Sequence, residues 1–286
     1  MAIEKIQLIQ PRGFCVGVKR AIKIVETALQ LNNKPIYVFQ QIVHNEHVLN
    51  DLEKKGTIFV KKINDIPNDN IVIFSAHGVS PTVRKEAKAK NLKIIDATCP
   101  LVDKIHKEAI VHHKKGYKIL LIGKKNHEEV DGIIGEAPMI LIENINDAKK
   151  IKITNSEKII CLSQTTFSIN DIKDITNVLQ KRFPKIKTLA NNNICRATTE
   201  RQSAVKKIAN FVDIILVIGS KKSNNSKQLV NIAKQAWIKS YLILNKTEIN
   251  KKIFNNVKKI AITAGASTPE KSVQKIVKYL KKTLKC

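Results

Sequence analysis

The sequence predicts an α/β protein built from three similar α/β domains with mainly parallel sheets. Short apolar segments alternate with longer segments in which apolar residues recur at helical spacing. Three cysteines, Cys15, Cys99 and Cys195, each follow an apolar segment and precede a helical one. Because strands that alternate with helices form parallel sheets, the polar residues after the strands should gather at the carboxyl ends of the sheets.

The predicted elements alternate along nearly the whole chain. We expect strands at 6–9, 36–39, 71–74, 93–95, 117–122, 139–142, 158–162, 186–189, 214–218, 241–244 and 259–263. We expect helices at 18–31, 46–55, 81–90, 100–115, 130–135, 169–182, 198–210 and 227–237, and another from 269 onward. Pro100 suits the first position of a helix, so Cys99 should lie at a helix start.

Regular spacing of the cysteines and polar turns suggests an internal triplication. Two polar turns follow each cysteine at similar distances, with His44, His127 and Ser223 in the first set and His77, Thr165 and Ser267 in the second. We therefore expect domains over 1–97, 98–193 and 194–286 around a pseudo-threefold axis. The predicted site residues divide among them as Cys15, His44 and His77; Cys99, His127, Glu129 and Thr165; and Cys195, Ser223, Asn225 and Ser267.

The chain is strongly basic. Its 286 residues carry a formal net charge of +27, from 51 basic and 24 acidic residues. Only six of the basic residues are arginines, and the lysines are spread through every predicted helix. This distribution favours solvated helix faces over a nucleic-acid site, so we expect no nucleic-acid partner, although a basic surface attracts acidic partners and anionic substrates. A lysine-rich nucleic-acid-binding protein is the alternative from another functional class.

The length of the apolar segments and the spacing of the cysteines exclude several classes of protein. No apolar segment is longer than the five residues Ile214–Ile218, and charged residues precede the first segment, so we expect no membrane span, no secretory signal and a cytoplasmic protein. Five cysteines without a CxxC pair fit neither a disulfide scaffold nor a zinc ribbon. We expect Cys161 to be a core residue and Cys286 to be a free terminal thiol.

Three cysteines at equivalent helix starts suggest one shared site. Three thiolates can hold a [4Fe–4S] cluster with one open iron, or a zinc ion with a bound water. Their wide spacing argues against a structural zinc site, whose ligands usually come in close pairs. The alternative enzyme is a zinc or mononuclear-iron hydrolase that uses the same three cysteines.

The polar turns favour an anion-binding site. His44 and His77 could donate to a phosphate, and Ser223, Asn225 and Ser267 add uncharged donors at matching turns. Each residue alone is also explained as a helix cap or a surface group, so only their convergence points to a ligand. The remaining histidines lie on predicted helices and should be exposed; they are His47, His106, His112 and His113.

A second polar group could move protons. Glu129 opens a predicted helix just after His127, and Thr165 occupies the matching later turn. A carboxyl group beside a hydroxyl could relay a proton to a leaving hydroxide. A first-turn acid that interacts with the helix dipole explains Glu129 equally well.

A series of motifs runs from one end of the chain to the other in a fixed order. They are Pro11-Arg12-Gly13-Phe14-Cys15-Val16-Gly17-Val18, Val43-His44-Asn45, Ser75-Ala76-His77-Gly78-Val79, Asp96-Ala97-Thr98-Cys99-Pro100, His127-Glu128-Glu129-Val130-Asp131-Gly132, Gln164-Thr165-Thr166, Ile194-Cys195, Ala197-Thr198-Thr199, Gly219-Ser220 through Ser226, and Ala264-Gly265-Ala266-Ser267. Together they resemble the LytB/IspH family of 4-hydroxy-3-methylbut-2-enyl diphosphate reductases.

The resemblance implies a trefoil of three α/β domains around one central [4Fe–4S] cluster per chain, held by Cys15, Cys99 and Cys195. It also implies the last step of the non-mevalonate isoprenoid pathway. Two electrons and two protons would remove the allylic hydroxyl of (E)-4-hydroxy-3-methylbut-2-enyl diphosphate as water at the open iron. The products would be isopentenyl and dimethylallyl diphosphates.

The resemblance also assigns roles to the polar residues. Glu129, together with Thr165, would deliver protons, and His127 would line the pocket. Asn224 stands where many relatives have a serine, and its amide can still donate to phosphate. The electron donor would be a ferredoxin or a flavodoxin, usually acidic proteins that suit the basic surface. The residues implied to hold the diphosphate are His44, His77, Ser223, Asn225 and Ser267.

Overall fold

The computed structural model describes residues 3–32, 34–153 and 158–284. Within these residues the strands are β1 (Lys5–Leu8), β2 (Ile36–Phe39), β3 (Thr57–Val60), β4 (Ile71–Phe74), β5 (Lys93–Asp96), β6 (Lys118–Ile122), β7 (Met139–Ile142), β8 (Ile159–Ser163), β9 (Lys187–Thr188), β10 (Ile214–Ile218), β11 (Lys239–Ile243) and β12 (Lys259–Ala264).

The helices fill most of the chain between the strands. They are α1 (Val16–Leu31), α2 (Glu46–Glu53), α3 (Pro81–Ala89), α4 (Pro100–Lys114), α5 (Glu128–Ile134), α6 (Ile145–Lys150), α7 (Ile169–Arg182), α8 (Ala190–Asn193), α9 (Arg196–Ala209), α10 (Asn224–Gln235) and α11 (Glu270–Leu284). Short 3₁₀ helices add Ile63–Asp65, Lys246–Glu248 and Lys251–Phe254.

The described strands form three parallel four-stranded sheets with the same internal order. The orders are β1-β12-β10-β11, β5-β4-β2-β3 and β9-β8-β6-β7. All strand pairs within them are parallel. The prediction of three similar α/β domains with parallel sheets is confirmed, and the repeated order supports an internal triplication.

The N-terminal strand lies in the sheet of the C-terminal segment. Lys5–Leu8 pairs with residues 259–262 of β12, although the predicted domain 1–97 contains β1. Comparison of the three sheet orders explains this, because β1, β5 and β9 are equivalent edge strands and each leads towards one of the three cysteines. The sheet that β1 completes therefore draws its strands from both 1–97 and 194–286, while the boundaries at 97 and 193 stay a prediction.

By its internal contacts the chain divides into two compact units. Compact unit 1 comprises Met1–Val18, His44–Val48 and Arg196–Cys286, and compact unit 2 comprises Lys19–Val43 and Leu49–Cys195. In compact unit 1, apolar residues such as Leu216 and Ile262 form the core on one face of the sheet, and Val217 and Ala261 belong to the core on the other face. The other sheets have their own buried cores in compact unit 2.

Helix starts follow from the local sequence. Ser80, Ser168 and Ser223 each accept a hydrogen bond from the backbone N–H three residues on, as helix-capping serines do. Pro81 and Pro100 occupy the first helical positions, where the missing N–H costs nothing. These caps fix the points at which the chain turns from a strand end into a helix.

Several sequence predictions need correction. The strand Thr57–Val60 was not predicted because it is an edge strand whose middle residues are not buried, and the helix Ile145–Lys150 was not predicted because it has fewer than two turns. His106 and His112 are buried rather than exposed, since both point to the apolar side of α4. Cys161 is fully buried in β8, as predicted, whereas Cys286 lies outside the described residues. Among the described helices, none has both the length and the apolar character that a bilayer span requires.

Candidate active site

Each of the three cysteines is fixed by the same backbone contact. Its N–H donates to a carbonyl oxygen in the turn that follows the neighbouring strand, at 3.0 Å in all three cases. The donor and acceptor pairs are Cys15 with Ala266, Cys99 with Ala76, and Cys195 with Thr165. The three positions are therefore structurally equivalent, as the sequence spacing suggested.

The same contacts correct one detail of the predicted triplication. Thr165 corresponds to Ala76 and Ala266, which are the other two acceptors, rather than to His77 and Ser267. The sequence matching was wrong by one residue because the turns after β4, β8 and β12 differ in their polar residues. Each cysteine is thus hydrogen-bonded to the turn after the strand that pairs with its own edge strand.

The cysteine side chains are available as ligands. All three are of intermediate exposure and are in no disulfide within the described residues, and each lies at the start of a helix. Cys99 is the N-cap residue of α4, and the Val18 N–H lies 3.5 Å from Cys15 Sγ. The thiolate is the form in which a cysteine binds a metal. This donor set fits a metal cluster better than a disulfide.

The turn before Cys99 is held by a charged network. Asp96 accepts hydrogen bonds from the Thr98 N–H at 2.9 Å and from the Arg84 side chain at 2.7 Å. Burial alone would raise the pKa of Asp96, but the hydrogen bonds from Thr98 and Arg84 outweigh it and lower the pKa. Arg20 also donates to the Thr98 carbonyl oxygen at 2.9 Å. The Cys99 backbone is therefore positioned from both sides.

Glu129 is a buried carboxyl group bonded twice to one residue. It is 2% exposed, its Oε1 accepts from the Thr165 N–H at 2.7 Å, and its Oε2 accepts from the Thr165 hydroxyl at 3.0 Å. Burial raises the pKa of Glu129 to about 7, although both Thr165 hydrogen bonds act in the opposite direction. A carboxyl group with this pKa can hold and release a proton near neutral pH.

Two predicted site histidines of compact unit 2, His77 and His127, lie at the start of α5, the helix that carries Glu129. His127 caps α5, and its Nδ1 accepts from the Glu129 N–H at 3.2 Å, so the proton of the neutral ring lies on Nε2. His77 Nδ1 lies 2.8 Å from Glu128 Oε2, and the rings of His77 and His127 meet edge to face at 5.7 Å. Burial lowers the pKa of His77 to about 4. His77 is therefore neutral at pH 7.

Compact unit 1 brings the other predicted polar residues together at strand ends. Asn225 Oδ1 accepts from the Ala266 N–H at 3.0 Å, so Ala266 links Asn225 to Cys15. The Ser267 hydroxyl donates to the His44 carbonyl oxygen at 2.9 Å. The predicted anion-binding residues of this unit are all buried; they are His44, Ser223, Asn224, Asn225 and Ser267.

Ser223 caps the N-terminus of α10, which is the structural role that its sequence position also allowed. Its hydroxyl oxygen accepts from the Ser226 N–H at 3.2 Å and contacts the Ser226 hydroxyl at 3.1 Å. A methyl group on Gly265 would lie 2.0 Å from the Ser226 hydroxyl oxygen, so a glycine at position 265 lets the Ser226 side chain lie against the backbone there. Ser223 is thus an N-cap, and its own hydroxyl hydrogen is not used in the bond from the Ser226 N–H.

Comparison with known proteins identifies the family. The LytB protein family matches residues 6–281 of this chain. The chain belongs to the LytB family. A relative from Haemophilus influenzae (strain PittEE), named 4-hydroxy-3-methylbut-2-enyl diphosphate reductase, is 45% identical over 283 residues, covering 97% of this chain and 90% of the relative. The enzyme of the same name from Hamiltonella defensa is 45% identical over 279 residues, covering 96% and 88%.

Solved structures of LytB family members agree with the fold. The E-1-hydroxy-2-methyl-but-2-enyl-4-diphosphate reductase from Plasmodium falciparum matches with a TM-score of 0.95 and 44% identity, over 98% of this chain and 88% of that one. A second structure, described as (E)-4-hydroxy-3-methyl-but-2-enyl diphosphate reductase, the terminal enzyme of the non-mevalonate pathway, matches with a TM-score of 0.67 and 32% identity. It covers 99% of this chain and 100% of that one.

Sequence reasoning missed several polar groups around the LytB family motifs. Ser75 Oγ accepts from the His77 N–H at 3.3 Å and lies 3.4 Å from His77 Nδ1, a short-range contact that the Ser-Ala-His spacing could have indicated. Arg201 is 2% exposed and donates to the Gly13 carbonyl oxygen at 2.6 Å. No local signal connects positions 13 and 201, so only the folded chain shows this contact.

Proposed function

We propose that this protein reduces (E)-4-hydroxy-3-methylbut-2-enyl diphosphate to isopentenyl and dimethylallyl diphosphates, the last step of the non-mevalonate pathway. Two electrons and two protons are consumed, the allylic C–O bond breaks, and the hydroxyl leaves as water. Membership of the LytB family and the names of relatives that cover nearly the whole chain support this activity.

One residue links the two parts of the proposed chemistry. The Thr165 N–H and hydroxyl bind Glu129, while the Thr165 carbonyl oxygen accepts from the Cys195 N–H. A candidate proton donor and a candidate cluster ligand are therefore attached to the same turn. This juxtaposition is the observation on which the proposal depends, because reductive removal of a hydroxyl needs electrons and protons at one place.

The chain's cysteines fit an iron–sulfur cofactor. Cys15, Cys99 and Cys195 would hold one [4Fe–4S] cluster, which would supply electrons one at a time. The fit rests on their matching backbone contacts and their partial exposure. Three thiolates leave one iron without a protein thiolate, as a substrate-binding cluster requires.

Glu129 would hold the proton that the leaving hydroxyl needs. Burial raises its pKa to about 7, so a substantial fraction is protonated at neutral pH. The Thr165 hydroxyl, 3.0 Å from Glu129 Oε2, would orient the carboxyl group and pass the proton on. Because the pair is buried, bulk water would not compete for this proton.

The polar strand ends would bind the diphosphate. In compact unit 1 the donors would be His44, Ser223, Asn224, Asn225 and Ser267, whose burial would strengthen each hydrogen bond to an anion. Ser267 would have to exchange its present bond to the His44 carbonyl oxygen for one to phosphate. In compact unit 2, His127 would donate from Nε2. His77, whose Nδ1 proton points at the Glu128 carboxylate, would donate from Nε2 after it takes up a second proton when the anionic substrate binds.

The net charge of the chain and its family suggest an electron donor and a cellular location. A ferredoxin or flavodoxin would deliver the electrons, and the net charge of +27 would attract such an acidic protein at low ionic strength. We propose a cytoplasmic location, in keeping with cysteines of intermediate exposure that form no disulfide within the described residues.

Anaerobic preparation followed by two measurements tests the proposal. We expect about four iron and four sulfide per chain, and reduction of the allylic diphosphate when dithionite and a redox mediator are supplied. Stoichiometric zinc without sulfide would favour the alternative hydrolase. Iron and sulfide in full amounts with no reduction of the allylic diphosphate would refute the proposed activity.

A further inference from the structure

His106 is a buried histidine that the proposed reaction does not use. It lies in α4, the helix that begins next to Cys99, and is 6% exposed. Its Nδ1 lies 2.7 Å from Glu136 Oε1, and both side chains are about nine-tenths buried, at 8% and 10% exposure. Because a carboxylate only accepts, Nδ1 carries a proton, and this bond fixes the plane of the ring.

The opposite edge of the ring packs against backbone. A methyl group on Gly78, whose φ is +78°, would lie 2.8 Å from His106 Nε2, and one on Gly132 would lie 3.3 Å from His106 Cε1. Within the described part of the chain, Nε2 is buried and has no hydrogen-bond partner. An unpaired buried nitrogen costs about 1–3 kcal/mol, which an apolar residue would avoid. Burial alone therefore does not explain an imidazole at this position.

The two glycines belong to the segments that carry His77 and Glu128. Gly78 directly follows His77, and Gly132 lies one turn after Glu128 in α5. The two glycines face each other closely, since a methyl group on Gly132 would be 3.5 Å from the Gly78 carbonyl group. The same two segments are also joined by their side chains, since His77 Nδ1 lies 2.8 Å from Glu128 Oε2. The His106 ring thus packs against both segments at the point where they approach each other.

We propose that His106, oriented by Glu136, is a positioning residue that aims the His77 imidazole. It acts through the Gly78 backbone and does not itself touch the substrate. Loss of the ring would let the His77 turn settle towards α4 and break the contact between His77 and Glu128. The consequence for ligand binding rests on the proposed function, in which His77 donates to the diphosphate.

A double-mutant cycle on the holoenzyme tests this coupling. The dissociation constant of inorganic pyrophosphate is measured by calorimetry for wild type, His106→Ala, His77→Ala and the double variant. We expect each single change to weaken binding about tenfold, and the double variant to bind no more weakly than His77→Ala alone. Independent, additive losses would overturn the proposal, because His106 would then act by another route.

Three matched variants separate positioning from general destabilisation. His106→Asn keeps a planar group with a donor for Glu136, so it should recover most of the affinity, whereas His106→Phe should not. His113→Ala alters an exposed residue of the same helix and should change nothing. In steady-state assays, His106→Ala should raise the KM about tenfold with little change in kcat. An equal loss with Asn and Phe, or a fall in kcat at constant KM, would overturn the proposal.

A crystal structure of His106→Ala decides the geometry independently of the reaction. We expect the distance between His77 Nδ1 and Glu128 Oε2 to exceed hydrogen-bond range. An unchanged contact would refute the positioning role whatever the enzyme assays give. If His77→Ala binds pyrophosphate normally, the proposed diphosphate role of His77 fails, and this crystallographic distance alone then supports or overturns the positioning role.

Discussion

Both carboxyl oxygens of Glu129 accept hydrogen bonds from Thr165, Oε1 from the backbone N–H at 2.7 Å and Oε2 from the hydroxyl at 3.0 Å. These bonds favour the ionised form, whereas burial disfavours it and raises the pKa of Glu129 to about 7. The balance of these two effects places the pKa of Glu129 near neutral pH. Small changes in Thr165 should therefore move it.

Replacing Thr165 by valine should shift the pH dependence of turnover. Thr165→Val removes the hydroxyl bond that lowers the pKa of Glu129 and keeps the backbone bond, so the pKa should rise. Because the protonated form would be the active one, the fall of kcat at alkaline pH should move to higher pH. Rate profiles from pH 6 to 9 measure this. Thr165→Ser retains a hydroxyl and should keep the wild-type midpoint, and a midpoint lower in Thr165→Val than in wild type would contradict the role of Glu129 as the acid.

Glu129→Gln should abolish turnover but preserve binding. The amide has nearly the same shape and accepts one hydrogen bond from Thr165, but it cannot donate an acidic proton. We expect kcat to fall about a hundredfold or more, with iron content and pyrophosphate affinity unchanged. Stopped assays with dithionite as reductant measure the loss. Near-normal rates would show that the proton comes from elsewhere.

The same substitution should stabilise the fold at alkaline pH. Below pH 4.5 Glu129 is protonated in both the folded and the unfolded protein, so it does not lower the free energy of unfolding. Between pH 4.5 and about 7 only the unfolded state ionises, so the wild type loses stability as the pH rises, up to a limit of about 3 kcal/mol above pH 7. Glu129→Gln should therefore unfold at a higher temperature than wild type at pH 8 and show little difference at pH 4.5. A variant less stable than wild type at pH 8 would contradict the direction of the pKa shift.

Strong local signals predicted much of the fold. The strand Ile71–Phe74 and the helix Ile169–Arg182 were predicted to the residue, since a continuous apolar segment and a clear helical period define them. The strand Thr57–Val60 was missed because it is a short edge strand whose middle residues are not buried. Its place beside β2 depends on pairing with residues about twenty positions away, which no local pattern reports.

Long-range contacts explain the errors at the site. The cysteines were recognised as equivalent from their position between strand and helix, and their matching N–H bonds agree with this. Their acceptors lie in turns of unlike sequence, so Thr165 was matched with His77 instead of Ala76. The burial of His106 also escaped prediction, because its partner Glu136 lies 30 residues away and comes close only through α5 packing on the Gly78 turn.

Removing one cysteine should remove iron. Cys99→Ser keeps the N-cap position of α4 but replaces the thiolate with a poorer iron ligand. We expect iron and sulfide to fall by more than about half in anaerobic preparations. Cys161→Ala is the matched control, because burial raises the pKa of this thiol to about 12 and it lies inside β8. The Cys161→Ala variant should keep its full iron content, and its free energy of unfolding should fall by about 1 kcal/mol. Full iron in Cys99→Ser would exclude Cys99 as a ligand.

Arg201 should be needed to hold the Cys15 turn. Its side chain is buried and donates to the Gly13 carbonyl oxygen at 2.6 Å and to the Ala197 carbonyl oxygen at 3.2 Å. Arg201→Lys keeps the charge, but a single ammonium cannot reach both carbonyl groups with the same geometry. We expect the free energy of unfolding to fall by about 2 kcal/mol and iron occupancy to drop with it.

Arg196→Lys is the control for this last substitution. Arg196 lies in the first turn of the same helix, its side chain is 91% exposed, and it forms a surface ion pair with Glu200 at 2.8 Å. Because exposed pairs contribute little, the change should alter stability by less than about 0.5 kcal/mol and leave the iron content intact. Thermal unfolding and iron analysis of both variants measure the difference. Equal behaviour of the two would mean that the bond from Arg201 to Gly13 does not hold the turn, and that the Cys15 N–H bond to Ala266 suffices.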